Sequence, residues 1–269
     1  MPTVRDIRAK AGQEPITMLT AYDAPTAAIV DDAGVDMILV GDSMGNAALG
    51  YDSTLPVTVD EVASRTGAVV RGTEDALVVA DLPFLSFGYD EKSAVENAGR
   101  MLKEEGANAV KIESGPHTVE LTETLSNLGV PVMAHLGLTP QSVNQVGHVR
   151  QGTTREDADE ILTLAEKHEA AGAFSLVLEH VPANLAETIT AELDIPTIGI
   201  GAGPHTDGQV LVINDAVGLG NWSPPFSKQF GDVKGEMERA VSAFREEVES
   251  GDFPAEEHSH VEDELDGVY

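Results

Sequence analysis

Apolar residues fall along the chain in short runs of four to six, each followed by a polar or glycine-rich stretch. Eight stand out: Ile16 to Ala21, Met37 to Val40, Leu77 to Ala80, Ala109 to Ile112, Pro131 to Ala134, Ser175 to Leu178, Pro196 to Ile200 and Val210 to Ile213. Runs this short and this apolar fit strands covered on both faces, as in parallel sheets. Between them, Ser93 to Glu105 and Arg155 to Ala171 carry apolar residues at helical spacing and meet Gly106 and Gly172, and Ala183 to Leu193 repeats the pattern. Strands alternating with helices predict an α/β fold, here a (β/α)8 TIM barrel forming one domain over residues 1–250. Val4 to Ala11 is expected as an N-terminal helix closing the floor, and Val233 to Ser250 as the last outer helix. Two stretches fit less well. Too few residues separate the seventh and eighth runs for a crossover helix, and Ser43 to Pro56 reads as a long loop over the mouth.

Residues able to do chemistry stand just after the runs: Asp23, then Asp42 with Ser43, Asp81, Glu113, His135, Glu179 with His180, glycines 199, 201 and 203, and Asp215. In a closed barrel the carboxyl ends of all eight strands share one mouth, so residues far apart in sequence converge there.

The length of 269 residues suits a barrel of this kind, and no apolar run approaches the ~18 residues of a membrane span. Met1 to Gln13 is too polar for a signal peptide, which predicts a cytoplasmic protein. Without cysteine there is no disulfide, thiolate metal site or cysteine nucleophile, so a metal would need oxygen or imidazole ligands. A net charge of −30 with no basic cluster argues against nucleic acid and anionic membranes as partners. The segment Glu246 to Tyr269 holds ten acids, yet the rest of the chain still has 36 against 16 bases. An excess spread over the whole surface repels itself in dilute buffer and is screened at molar salt, which predicts adaptation to a high-salt cytoplasm. From Gly251 onward the composition is that of a solvated, disordered tail.

Gly41-Asp42-Ser43-Met44-Gly45 matches the nucleophile elbow of serine hydrolases, but an elbow turns straight into a helix and this stretch runs on to Gly50 and Pro56 without one. Gly199-Ile200-Gly201-Ala202-Gly203 lacks the spacing of a dinucleotide fingerprint, and a plain tight turn is favoured over a phosphate cradle. His258 and His260 read as solvated tail residues, and Trp222 as packing. His135 is either a donor lining the mouth or a satisfied inner histidine.

The carboxylates are harder to set aside. Asp42, Asp81, Glu113 and Glu179 each end a buried run, and two such charges ~6 Å apart repel by roughly 3 kcal/mol at an effective dielectric near 20. Lys111, on the same strand face as Glu113, supplies one positive charge. A divalent cation would supply two, and Mg²⁺ binds through a few carboxylates and water, leaving positions for substrate. Salt bridging at the rim explains any one acid equally well, but their joint placement favours a metal. Mg²⁺ beside a free carboxylate fits enolate chemistry on a 2-oxo acid, with Glu179 the best placed base.

The stretches Thr20-Ala21-Tyr22-Asp23-Ala24, Val40 to Gly45, Asp52-Ser53-Thr54-Leu55-Pro56-Val57-Thr58, Asp81-Leu82-Pro83-Phe84, Lys111-Ile112-Glu113, His135 to Ser142, Leu178-Glu179, Gly199 to Gly203 and Asp207 to Leu211 resemble, in order and over nearly the whole chain, the ketopantoate hydroxymethyltransferase family. The resemblance implies a barrel of the phosphoenolpyruvate/pyruvate-binding type and transfer of a hydroxymethyl group from 5,10-methylenetetrahydrofolate to 3-methyl-2-oxobutanoate, giving 2-dehydropantoate for pantothenate and coenzyme A synthesis. It implies Asp42 and Asp81 as Mg²⁺ ligands that also meet the substrate, with Glu113 on the ion directly or through water. It further implies Ser43 and Lys111 as substrate-binding groups, Glu179 as the proton acceptor, and a homo-oligomer, commonly a decamer. The chain departs from the family at Arg65 and Asn214, where histidines are usual, so contacts to folate or between subunits differ, and a modified pterin as carrier stays open. The competing enzyme is a Mg²⁺-dependent lyase of the phosphoenolpyruvate mutase and isocitrate lyase group, whose mouth loop typically carries a cysteine that this chain lacks. A non-catalytic acidic scaffold is the remaining alternative.

Overall fold

The apolar runs pair side by side into a closed ring in the structure, a computed structural model that describes residues 2–147 and 149–262. The strands are β1 (Ile16–Thr20), β2 (Met37–Val40), β3 (Leu77–Asp81), β4 (Ala109–Glu113), β5 (Val132–Gly137), β6 (Ser175–Glu179), β7 (Thr197–Ile200) and β8 (Gly208–Leu211). All neighbours are parallel, and β8 returns to β1 with Ile16 opposite Gly208, closing the barrel. The helices are α1 (Val4–Lys10), α2 (Ala24–Asp32), α3 (Met44–Ala47), α4 (Val59–Arg71), α5 (Glu91–Lys103), α6 (Val119–Asn127), α7 (Val143–Val146), α8 (Arg155–Ala170), α9 (Ala183–Glu192), α10 (Ile213–Val217) and α11 (Val233–Ser250). None is long and apolar enough to cross a membrane among the described residues.

Side chains alternate across each strand, and the alternation explains both packed layers. Inward residues such as Met18, Met37, Leu39, Leu77, Val79, Met133, Val177 and Ile198 fill the barrel, and Ile7 of α1 joins them, so this helix closes the floor as its position predicts. Outward residues Ala134, Leu136, Leu176 and Leu178 pack against Ile161, Leu164, Ala165, Leu185 and Ile189 of α8 and α9. Burying one such Leu or Ile is worth roughly 1.5–3 kcal/mol. Helix starts are fixed by local chemistry: the Thr154 hydroxyl accepts from Asp157 N at 3.2 Å, and Thr58 and Glu61 cap α4 reciprocally.

The structure adjusts the expected elements in places. Strands β3, β4 and β6 each run one residue further, taking in Asp81, Glu113 and Glu179, because backbone pairing continues through the polar residue. One turn of helix, α3, comes after Ser43 where a loop is expected. No helix forms between β7 and β8, as their spacing requires.

The chain forms two compact units. Of the described residues, those within 2–213 with 224–227 make the barrel, and 214–223 with 228–262 make the second unit. In the second, α11 starts at Asp232, whose carboxylate accepts from Gly235 N at 3.1 Å, and ends at Gly251, whose φ of 80° only glycine adopts readily. Val233 to Ser250 forms a helix over the residues expected, and no residue of α11 is buried. Trp222 is 75 % exposed rather than packed, since the Gly220 to Ser223 stretch around it forms no regular element. Residues 251–262 include a single 3-10 turn, Glu256–His258, with Phe253 lying against Phe244 and His258. The remainder of the expected disordered tail lies outside the described residues.

Candidate active site

The rows that fill the barrel turn polar at its carboxyl end. Going up β3 the inward residues are Leu77, Val79 and Asp81; up β4, Ala109, Lys111 and Glu113; up β5, Met133 and His135; up β6, Val177 and Glu179. Register then sets the neighbours: Asp81 lies opposite Lys111, Glu113 opposite His135, and Gly137 opposite Glu179. Asp42 joins from the turn after β2, its N–H donating to Asp81 Oδ2 at 3.1 Å. Gly41 permits that approach, because a Cβ there would stand 2.8 Å from Ser43 Oγ.

Lys111 Nζ pairs with Asp81 Oδ1 at 2.6 Å, and both side chains are buried. Burial alone would lower the Lys111 ammonium, but Asp81, Asp42 and Glu113 around it win and hold its pKa above the ordinary value. One lysine does not neutralise the acids. Burial, with repulsion from Asp81, pushes Asp42 up to about 7, against the pull of Lys111 and Gln141. Burial and the charge of Asp42 likewise raise Glu113 well above the carboxylate range. A buried mouth short of positive charge fits a cation. Among the described residues no three Asp, Glu or His side chains gather into an all-protein cage. The mouth carboxylates are hard oxygen donors of the kind Mg²⁺ takes one or two at a time, its other positions being filled by water and substrate oxygens.

Two further features complete the mouth. His135 Nε2 faces Glu179 Oε2 at 3.3 Å, and among the described residues neither ring nitrogen has a hydrogen-bond partner. The Glu179 side chain keeps 18 % exposure against 2 % for Asp81, so it is the acid a substrate reaches from outside. Gln141, which sequence reasoning passes over, lies buried between the acids and donates to Asp42 and Glu113. A cavity of about 190 Å³ opens beside Glu113 and Gln141 between Phe84, Leu85 and His117. A wider one of about 920 Å³ lies along β7, β8 and β1, away from these charges.

Ser43 sits at the same mouth, its Oγ 2.9 Å from the Tyr22 hydroxyl. Its φ of −52° carries none of the strain of a nucleophile elbow, and its partner there is a phenol rather than an imidazole. Asp23 takes no part: its carboxylate caps α2 by accepting from Thr26 N at 2.8 Å. Asp215 belongs to the second unit. Gly201 and Gly203 have positive φ, and Cβ atoms there would strike Phe226 at 2.9 Å and Ala183 at 2.4 Å. These glycines therefore serve a tight turn under close packing.

The profile of the ketopantoate hydroxymethyltransferase family matches residues 2–256. The chain belongs to this family. It is thus a transferase, and it shares 71 % identity over the full length of both chains with the 3-methyl-2-oxobutanoate hydroxymethyltransferase of Haloarcula marismortui. The enzyme of the same name from Geobacter metallireducens is 52 % identical over 96 % of this chain and 97 % of its own. Among solved structures, phosphoenolpyruvate phosphomutase from Streptomyces platensis subsp. rosaceus superposes with a TM-score of 0.63 at 16 % identity, covering 93 % of this chain and 88 % of that one. Phosphonopyruvate hydrolase in complex with oxalate and Mg²⁺ gives a TM-score of 0.58 at 12 % identity, covering 96 % and 93 %. At such identities these two share with this hydroxymethyltransferase family member the fold alone, a TIM barrel of eight parallel strands.

Proposed function

We propose that this chain moves a hydroxymethyl group from 5,10-methylenetetrahydrofolate, or from a carrier built on a modified pterin, to 3-methyl-2-oxobutanoate, giving 2-dehydropantoate. The observation that carries the reading is a partly open carboxylate, Glu179, sharing one barrel mouth with the buried cluster, so that the Asp42 carboxyl senses the charges of Asp81, Lys111 and Glu179 together. Family membership names the substrates.

Asp42, Asp81 and Glu113 would hold Mg²⁺, Glu113 directly or through water. When bound, the ion supplies Lewis-acid polarisation of the substrate's 2-oxo group. Ser43 and Lys111 bind the carboxylate and keto oxygens, and the buried ammonium of Lys111 favours negative charge developing there. Glu179 takes the proton from the third carbon of the substrate, with His135 Nε2 3.3 Å from its Oε2. The carbon so freed bonds to the methylene carbon of the carrier, both carbon–nitrogen bonds to the carrier break, and one water supplies the hydroxyl oxygen, the carrier's two nitrogens taking up the proton released by the water and the one removed from the substrate.

We place the protein in a salt-rich cytoplasm, as a homo-oligomer, with small molecules as its partners. The lyase alternative rests on fold alone, since the structural relatives with those activities are 10–18 % identical. The direct test is formation of 2-dehydropantoate from 3-methyl-2-oxobutanoate and methylenetetrahydrofolate in molar KCl. Glu179→Gln should abolish exchange of the substrate's third-carbon proton with deuterated water while Mg²⁺ binding persists; continued exchange assigns the base elsewhere.

A further inference from the structure

Gln141 is neither acid, base nor nucleophile, yet it is a buried residue that touches both Asp42 and Glu113. It sits in the one-turn 3-10 helix Pro140–Ser142 beyond the end of β5. Its backbone N–H is shared between the two Glu113 oxygens, at 3.2 Å and 3.0 Å. Its side-chain Nε2 donates to Asp42 Oδ2 at 2.9 Å and to the Leu82 carbonyl at 3.1 Å. A single residue thus ties together the turns after β2, β3 and β4, which approach one another only in the folded barrel.

Asp42 and Glu113 repel each other, and a free carboxylate relieves repulsion by rotating away. The two bonds from Gln141 oppose that rotation, one from the main chain and one from the side chain. Leu82 O fixes the amide itself, so the donor to Asp42 has a set direction. We infer that Gln141 is the positioning residue that orients Asp42 relative to Glu113 in the mouth, so that the Asp42 carboxylate is directed before a divalent cation arrives. This rests on the mouth being a cation site. Gln141 does not touch the ion; it acts through the carboxylate it orients. The main-chain half survives any substitution at this position, so a side-chain variant releases Asp42 alone.

The test is titration of the purified full-length protein with Mg²⁺ by calorimetry, without substrate, and the spectrum of bound Mn²⁺ by electron paramagnetic resonance. Gln141→Met keeps the length and loses both donors. It should weaken Mg²⁺ binding about tenfold, the effect of one hydrogen bond to a charged acceptor, and alter the Mn²⁺ line shape. Gln141→Asn keeps the amide but is one methylene short, and should weaken binding to a similar degree; it carries the test if Gln141→Met fails to fold. Ser142→Ala, on the same helical turn, controls for local damage and should stay within twofold of the parent with an unchanged Mn²⁺ spectrum. Folded Gln141 variants that bind Mg²⁺ within twofold of the parent overturn the role of Gln141 and leave the metal reading standing. A parent protein that binds neither ion overturns both.

Discussion

Replacing Lys111 by Met removes the positive charge from a mouth that holds Asp42, Asp81 and Glu113 in burial. At 2.6 Å from Asp81, the ammonium contributes about 6 kcal/mol of attraction at an effective dielectric of 20, before the cost of burying both groups. Deleting one partner of a buried pair typically costs about 3–5 kcal/mol, because the other charge stays behind unpaired. For a chain of 269 residues, each kcal/mol shifts the melting temperature by about 2–3 °C, so Lys111→Met should melt about 10 °C lower. If the loss comes from the stranded charge, Asp81→Asn added to Lys111→Met should restore part of it. The assay is calorimetric melting in molar KCl at neutral pH, where surface charges are screened and the buried ones are not. A drop under 2 °C, or a double variant no more stable than the single one, would refute the reasoning.

Other expected outcomes concern single positions in the barrel and the charge of the whole chain. His168, buried against the Thr122 hydroxyl at 3.0 Å, is pushed down to about 4 by burial, so it must stay neutral to fold. Its folded pKa lies below the unfolded value near 6.5, so its share of stability, about 3 kcal/mol, is complete above pH 6.5 and lost as the pH falls towards 4. In urea titrations at pH 7.5 and pH 5, His168→Gln should lose less stability between the two than the parent; equal losses would assign the acid limb to other groups. Gly137 has φ 97°, and a Cβ there would stand 2.2 Å from the Glu179 carbonyl, so Gly137→Ala should lose at least about 3 kcal/mol and displace the end of β6. A Gly137→Ala melt within 2 °C of the parent contradicts this. With a net charge of −30, the melting temperature should climb steeply from dilute to molar KCl, and a flat response removes the salt-adaptation reading.

The barrel and most of its mouth are legible in the chain because strands covered on both faces leave short continuous apolar runs, each marked at its end by a polar residue. Asp81, Glu113 and Glu179 come after apolar runs in phase with the inward positions, so their common destination can be read without coordinates. Gln141 cannot be found that way. Its partners, Asp42 and Leu82, are 99 and 59 positions away, and a glutamine in a polar loop carries no charge signal. Its clues are a place four residues past the end of β5 and its membership of the stretch His135 to Ser142. Val233 to Ser250 is legible as a helix, and a helix forms there. Met237, Val241, Phe244 and Val248 repeat at helical spacing, and that spacing reports an apolar stripe without saying what covers it.

The ring of strands is not equally strong all round. Between β7 and β8 only Ile198 with Gly208 and Gly199 with Gln209 lie in register, against five residue pairs between β5 and β6. No helix bridges β7 and β8, and Gln209 and Thr17 on the outer surface nearby are open to water. This is the seam where the barrel should first breathe, and amides of β8 should exchange with deuterium sooner than those of β5. New chain ends introduced between Gly203 and Asp207 would fall on that seam, so a circular permutant cut there should lose less cooperativity than one cut between β5 and β6.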